Sequence, residues 1–269
     1  DVRKTVKEAN PDALILAEHY GDASDWLSGD QWDTVMNYDA FMEPVSWFLT
    51  GLEKHSERKD EHLLHNSQAF MCSMLSNMSR MQTGSLYAAM NELSNHDHSR
   101  FLTRTNRVVG RLYKPEDAEN AEKGINYGTF RSGALIQMTW PGAPTIYYGD
   151  EAGMEGFEDP LNRGTYPWGR EDRDLLAWFT RLGALRNAYP ALQSGTISWL
   201  YTAGPLLIFA RQNGDQRLTT AVNASPDSHT VTLLWEGAGP TDLLTGDTLP
   251  CSGGVLHLQL PPWGCRLLL

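Results

Sequence analysis

Residues 142–151 read GAPTIYYGDE, and this stretch contains the pattern that decides the fold. Its centre, residues 145–148, is a short apolar run of the kind found in a strand that is buried on both faces. A glycine turn and two carboxylates follow directly. A similar order, in which a short apolar run is followed by polar side chains, occurs three times earlier in the chain. This repetition predicts a sheet whose strand ends carry a functional site.

The three earlier runs, which we predict to be buried strands, are residues 14–17, 34–38 and 86–93. Apolar residues at helical spacing predict helices near residues 2–10, 41–51, 64–81, 127–140 and 175–185. Strands that alternate with helices imply a parallel sheet. A closed barrel of this type needs eight strands and about 250 residues. Because only four such strands can be counted, the barrel is expected to be incomplete within this sequence.

The pattern changes after Tyr189-Pro190, where short strands follow one another without helices. We predict strands at residues 197–201, 206–211, 218–223, 230–234, 255–260 and 265–269. Turn sequences such as Asn213-Gly214 and Gly253-Gly254 separate them. The sequence therefore predicts two domains: an α/β unit over residues 1–188 and a small antiparallel β-sandwich over residues 189–269.

Composition narrows the range of partners. The chain has 22 Lys and Arg against 33 Asp and Glu, a net charge of −11, and such an acidic surface repels the phosphates of nucleic acid. No apolar run approaches the roughly 20 residues that span a bilayer, so we expect no membrane partner. The three cysteines do not have the spacing of a metal site, and Cys251 and Cys265 could form a disulfide or remain thiols. The odd count favours a reducing, cytoplasmic location, with secretion as the alternative.

Polar and aromatic side chains follow each predicted strand of the α/β unit. In a βα barrel the reactive groups lie at these carboxyl ends. Carboxylates that converge on an aromatic-lined pocket suit the cleavage of glycosidic bonds, which uses paired Asp or Glu. Metal ligation is the alternative, but no pair of histidines at helical spacing supports it, and we predict no metal site. The residues are Glu18, His19 and Tyr20 after the first strand, Asn37 and Tyr38 after the second, Asn95, His96 and Asp97 after the third, and Asp150 and Glu151 after the fourth.

These segments resemble consecutive segments of the α-amylase family of glycoside hydrolases. Residues 14–27, 33–38, 91–97 and 142–151 are similar to its fifth, sixth, seventh and eighth barrel strands, and Asp159-Pro160, Arg163 and Trp168 to the segment that follows. The most similar branch is that of the cyclomaltodextrinases, neopullulanases and maltogenic amylases. The resemblance covers residues 1–190 and implies the C-terminal half of a (β/α)8 TIM barrel, followed by the family's β-sandwich domain.

The resemblance also implies roles for single residues. Glu18 would be the general acid and base, and Asp97 the carboxylate that holds sugar hydroxyls and favours the distorted transition state. Tyr20 stands where this branch usually has Trp, which leaves the preference for leaving groups open. We expect substrate contacts from His96, Tyr20, Asn37, Tyr38, Asp159 and Arg163.

The function implied is that of a retaining α-glucan hydrolase acting on α-1,4-glucosidic bonds of maltodextrin, cyclodextrin, starch or pullulan. A retaining enzyme needs a nucleophilic carboxylate about 5 Å from the acid. In the family this group follows the fourth strand, and no residue here corresponds to it. We therefore expect a complementary N-terminal barrel half, as a separate chain or a cleaved fragment, and expect this chain alone to be inactive.

Two other functions remain open at this point: a non-catalytic sugar-binding or interaction module, and a glucosyl-transferring or isomerising relative. Glu18, His96 and Asp97 occur together, which favours the enzyme, because a binding module need not keep both an acid and a stabilising carboxylate. No cofactor is expected. Calcium is used by some family members, but no loop of the Asp-x-Asp-x-Asp-Gly type occurs here.

Overall fold

Four short parallel strands form the sheet of the N-terminal part. The computed structural model describes residues 1–110 and 119–269. Strand β1 (Leu16–Ala17) pairs with β2 (Thr34–Val35), and β3 (Met90–Glu92) pairs with β4 (Ala143–Thr145). A parallel bridge between Met36 and Met90 joins the two pairs into one row of four strands, which we call the strand wall. The predicted parallel arrangement of four strands is thereby confirmed.

Helices lie between and behind these strands, and their ends follow from local sequence. Asn66 and Asn126 cap two of them by accepting hydrogen bonds from the backbone of Ala69 and Thr129. Gly51, with a φ of 73°, ends another in the left-handed conformation that glycine adopts without strain. The helices are α1 (Val2–Ala9), α2 (Glu43–Thr50), α3 (Ser67–Met78), α4 (Thr83–Ala88), α5 (Phe101–Arg104), α6 (Tyr127–Thr139), α7 (Arg173–Ala188) and α8 (Pro190–Ser194), with a π-helix at Tyr38–Met42 and 3-10 turns at Ser24–Trp26 and Leu161–Arg163.

All four predicted strands differ from the structure in extent. β1 begins at Leu16 instead of residue 14, and β2 ends at Val35 instead of residue 38. The contacts explain the differences in the other two. The run at residues 86–93 is a strand only from Met90, because its first part belongs to α4, where the carbonyl of Ser85 accepts a hydrogen bond from Thr34. The strand expected at residues 145–148 ends at Thr145. Tyr147 and Tyr148 leave the sheet and place their rings 4.6 and 5.1 Å from the guanidinium carbon of Arg100. In both cases a tertiary contact outweighs the local apolar pattern.

The C-terminal part is an antiparallel β-sandwich, as predicted. One sheet has the order β11-β7-β6-β5, and the other has the order β8-β10-β9. Leu206, Ile208, Val231, Leu256 and Leu258 pack between them. The free thiols of Cys251 and Cys265 lie in different sheets. The strands are β5 (Thr196–Ala203), β6 (Leu206–Asn213), β7 (Gln216–Asn223), β8 (His229–Leu234), β9 (Cys251–Ser252), β10 (Val255–Leu260) and β11 (Cys265–Leu268).

A buried aromatic cluster and a buried arginine hold the sandwich against the helices. The ring of Trp140 lies 5.7 Å from Phe70, 5.6 Å from Trp199 and 5.0 Å from Phe209, between centroids. Arg211 donates to the carbonyl oxygen of Thr139 at 2.6 Å, at the end of α6. Because these contacts are buried and cross between the two parts, they pack the sandwich against α3 and the end of α6.

The two outer strands of the strand wall, β1 and β4, have fewer strand neighbours than the two inner strands. Within residues 1–110 and 119–269, β1 pairs only with β2 and β4 only with β3. Helix α1 has no buried residue, and Val2 is 72% exposed. Polar contacts attach α1 instead: Asp33 accepts from Arg3 at 2.7 Å and from Lys7 at 2.9 Å. Burial opposes ionisation of Asp33, but hydrogen bonds from Arg3, Ile15 and Lys7 outweigh it and lower its pKa to about 2.

Among the helices that the structure describes, none is both long and apolar enough to cross a bilayer.

Candidate active site

Three predicted site residues meet at the carboxyl end of the strand wall. Glu18 follows β1 directly, and His96 and Asp97 lie in the turn after β3. The Nε2 atom of His96 lies 3.5 Å from Oε1 of Glu18 and 3.4 Å from Oδ1 of Asp97. All three side chains are partly exposed. Parallel pairing of the strands places both turns at the same edge, which is why residues almost 80 positions apart in sequence come together.

Arg163 and Asp159 extend this cluster from the segment after β4. The Nη2 atom of Arg163 lies 3.4 Å from Oδ1 of Asp97 and 3.3 Å from Oδ2 of Asp159. Its Nε donates to the carbonyl oxygen of His96 at 2.9 Å. Arg163 therefore bridges the two carboxylates and orients the turn that carries Asp97.

Two stacked tyrosines border Glu18. The Tyr38 hydroxyl donates to Oε1 of Glu18 at 3.3 Å, and the amide of Asn95 donates to that hydroxyl at 3.0 Å. The rings of Tyr20 and Tyr38 are nearly parallel, with centroids 4.7 Å apart. Burial raises the pKa of Tyr38 far above its ordinary value, so its hydroxyl remains a proton donor at neutral pH. Tyr38 thus fixes one oxygen of Glu18.

Asn37 is placed differently from the expectation that it contacts substrate. It is 3% exposed, and its amide donates to Oδ1 of Asn91 at 2.7 Å. The amide of Asn91 donates in turn to the carbonyl oxygen of Pro141. Asn37 therefore ties β2 to β3 inside the wall, and it is Tyr38, where the π-helix begins, that faces the cluster.

A buried carboxylate at the strand ends, Asp150, forms an ion pair with a buried arginine. Asp150, which follows β4 in sequence, accepts a hydrogen bond from Nη1 of Arg100 at 2.9 Å, and both side chains are buried. Burial raises the pKa of Asp150 to about 6 although Arg100 opposes this. The pair holds the turn after β4 against the residues that follow Asp97.

Two buried residues near the cluster were not among the predicted site residues. Glu92, the last residue of β3, is buried, and this burial raises its pKa to about 8. His98 lies directly behind the tyrosines and is fully buried. Glu92 ends the strand and His98 lies in the turn after it, and the sequence at neither position shows that the side chain is buried.

The arrangement combines a carboxylate that accepts a hydrogen bond from Tyr38, a second carboxylate that contacts an arginine, and an exposed aromatic ring. Such a set can move a proton at one oxygen of a sugar and accept hydrogen bonds from several hydroxyls. The ligand atoms of Glu18, His96 and Asp97 all lie within 4.8 Å of one another, so these three residues could also hold a cation.

Comparison with known families shows to which family the chain belongs. The family model "Alpha amylase, catalytic domain" matches residues 1–178, which is more than half of the sequence. The chain belongs to the α-amylase family. A second model, "Maltogenic Amylase, C-terminal domain", matches residues 201–267 and covers most of the β-sandwich. Both results agree with the predicted fold of an α/β barrel unit followed by an antiparallel domain.

The similar proteins in this α-amylase family include enzymes of the predicted branch. Neopullulanase 2 of Thermoactinomyces vulgaris is 35% identical over 100% of this chain and 42% of its own length. A cyclomaltodextrinase of Geobacillus thermopakistaniensis is 30% identical over 98% of this chain and 41% of its own length. An amylopullulanase of Thermoanaerobacter thermohydrosulfuricus is 32% identical over 96% of this chain and 18% of its own length. The chain thus spans less than half of each of these relatives.

Solved structures of the family show the same fold. A debranching enzyme of Nostoc punctiforme superposes with a TM-score of 0.80 at 28% identity, covering 99% of this chain and 53% of that one. A cyclomaltodextrinase superposes with a TM-score of 0.78 at 26% identity, covering 99% of this chain and 42% of that one. The matched part corresponds to about half of each complete structure.

Proposed function

We propose that this chain carries the acid and base half of a retaining α-glucan hydrolase. The observation that supports the proposal is the convergence of Glu18, His96 and Asp97 at the strand ends, in a chain of the α-amylase family. The proposed substrates are α-1,4-linked glucans: maltodextrin, cyclodextrin, starch or pullulan. The printed names of the relatives, neopullulanase and cyclomaltodextrinase among them, agree with this class.

Glu18 gives its proton to the glycosidic oxygen as that bond breaks, and later takes a proton from the attacking water. The Tyr38 hydroxyl holds the Glu18 oxygen at 3.3 Å, so the carboxyl group has one defined orientation. Exposure of the other side of the carboxyl leaves room for the sugar. Proton transfer needs this kind of fixed geometry, because a displaced acid is much less effective.

Asp97 accepts hydrogen bonds from hydroxyls of the sugar that reacts. Arg163 holds its carboxylate, and His96 contacts both Asp97 and Glu18, so His96 donates to the same sugar ring. Hydrogen bonds that strengthen as the ring flattens toward an oxocarbenium ion accelerate the reaction. Asp159 and Arg163 contact sugar units further along the non-reducing side.

We further propose that a complementary barrel half completes the site. β1 and β4 have one strand neighbour each in the described ranges, and α1 leaves its apolar side exposed. Unpaired edges and exposed apolar faces favour association with further strands and helices. The missing half would provide the first four strands and the nucleophilic carboxylate. Protonation by a glutamate and covalent catalysis by a carboxylate require no metal ion.

The proposal is tested by combining this chain with the polypeptide that supplies the first four strands; we refer to the product as the assembled enzyme. We expect maltotriose hydrolysis by the assembled enzyme and none by either half, because each half lacks one of the two carboxylates. Reducing-sugar release measures the rate. Hydrolysis by this chain alone would disprove the need for a partner, and an assembled but inactive complex that binds maltodextrin would identify a sugar-binding module instead.

A further inference from the structure

His98 is a fully buried side chain that contacts the candidate site without facing substrate. Its ring centroid lies 5.1 Å from that of Tyr38, 6.0 Å from that of Tyr20 and 4.5 Å from that of His55. None of the roles proposed above uses it. A buried imidazole has two nitrogen atoms that both need partners, so its contacts define its protonation.

The partner of one nitrogen is fixed by the turn that carries the catalytic carboxylate. Oδ1 of Asn95 accepts from the backbone N–H groups of Asp97 at 3.0 Å and His98 at 3.1 Å, and its amide donates to Tyr38. The same Oδ1 lies 2.7 Å from Nδ1 of His98. Because that oxygen can only accept, Nδ1 must carry the proton.

The second nitrogen is then a free acceptor. Burial lowers the pKa of His98 well below its ordinary value, and the neighbouring side chains His55, Arg104, Lys54 and His96 act in the same direction. The ring is therefore neutral, and Nε2 has a lone pair. Within the described residues, this atom has one hydrogen-bonding partner, the hydroxyl of Tyr20 at 3.4 Å.

Two contacts therefore hold Tyr20: a hydrogen bond from its hydroxyl to His98 and stacking of its ring on Tyr38. Burial, together with the negative charges of Asp97 and Glu18, raises the pKa of Tyr20, so its hydroxyl keeps its single hydrogen and donates it to His98. Tyr38 supports the ring by stacking at 4.7 Å. Nearly half of Tyr20 (48%) remains exposed beside Glu18. An exposed aromatic ring in a fixed orientation is suited to pack against a sugar.

We propose that His98 is a positioning residue that fixes the Tyr20 ring for the acceptor sugar, and thereby sets the balance between glucosyl transfer and hydrolysis. This inference rests on the proposed function. In the step concerned, the bond between the glucosyl carbon and the nucleophilic carboxylate breaks and a bond to the acceptor oxygen forms. The acceptor proton passes to Glu18, which becomes an acid again. Water and a sugar hydroxyl compete for this step, and only the sugar benefits from an oriented ring.

The test compares Tyr20→Phe, which removes only the hydroxyl, with His98→Leu in the assembled enzyme. We expect each change to lower the ratio of transfer to hydrolysis products from maltotriose by about three- to tenfold, the range that one hydrogen bond contributes. The double variant should lower it no further, because both changes break the same contact. His257→Leu, on the exposed face of β10, is the matched control and should leave the ratio unchanged.

A spectroscopic measurement separates positioning from simple loss of structure. In ¹⁵N NMR spectra of the wild type, His98 should have a protonated Nδ1 and an unprotonated Nε2 from pH 5 to 8, and Tyr20→Phe should shift the Nε2 signal. An unchanged product ratio in Tyr20→Phe, or a His98 that titrates near pH 6.5, would overturn the inference. A wild-type assembled enzyme without any α-glucan hydrolysis would instead overturn the proposed function.

Discussion

Glu18→Gln in the assembled enzyme should slow maltotriose hydrolysis by at least about 10²–10⁴-fold, the contribution that general acid catalysis makes by itself. Glutamine has the shape of the glutamate side chain and can still accept the hydrogen bond from Tyr38. It cannot deliver a proton to the glycosidic oxygen. Steady-state rates at saturating substrate, compared with the wild type, measure the loss.

Two comparisons show whether the loss reflects protonation. Substrates with a very good leaving group should be affected less in the glycosylation step, because their departing oxygen needs little protonation. Glu236→Gln, an exposed side chain after β8, is the matched control and should retain normal activity. Near-normal hydrolysis of maltotriose by Glu18→Gln would show that another residue is the acid.

Asp97→Asn should lower kcat by about 10²–10³-fold, a magnitude typical of losing one charge-stabilising group in a transition state. The change keeps the size of the side chain and removes the negative charge that faces His96 and Arg163. KM should change much less than kcat, because the contact to the sugar hydroxyls strengthens mainly in the transition state. Kinetics on maltotriose separate the two parameters.

Neighbouring variants test how specific this effect is. His96→Ala should cost about tenfold, the order of one hydrogen bond. Asp159→Asn should lower kcat less than Asp97→Asn. Within the described residues, Asp159 contacts Arg163 and neither Glu18 nor His96. If Asp97→Asn altered KM alone, Asp97 would be a binding residue without a role in the chemical step.

The proximity of Glu18, His96 and Asp97 could be predicted from sequence, because the geometry of parallel sheets determines it. Apolar runs of strand length that alternate with helices form parallel sheets, and parallel strands bring their carboxyl ends to one edge. Once the strands are recognised, the residues just after them must be close in space. The sandwich could be predicted in the same way, because apolar alternation and turn residues define short antiparallel strands.

The orientation of single side chains within the turns could not be predicted. Asn37 and Tyr38 are adjacent at the end of β2, but a π-helix begins at Tyr38, which leaves Asn37 in the wall. His96 and His98 are two residues apart in one turn, and the Asn95 side chain decides which of them is buried. The first outcome depends on a tertiary hydrogen bond and the second on a local one within the turn, and no sequence period encodes either.

The ends of the predicted strands also differ from the structure. Residues 86–88 have the composition of a strand but form the end of α4. Tyr147 and Tyr148 suit a strand equally well, but their rings contact Arg100, which is itself paired with Asp150. The two rings cover the buried guanidinium instead of continuing the strand, and β4 ends at Thr145.

The anomeric configuration of the newly released reducing end tests the two-carboxylate mechanism most directly. Glu18 and a nucleophilic carboxylate from the other barrel half would act in two successive displacements at the same carbon, so the configuration is inverted twice. ¹H NMR spectra recorded in the first minutes of maltotriose hydrolysis by the assembled enzyme should therefore show the α-anomer, before mutarotation mixes the two forms. Initial release of the β-anomer would mean that water attacks directly, and would contradict a retaining α-glucan hydrolase.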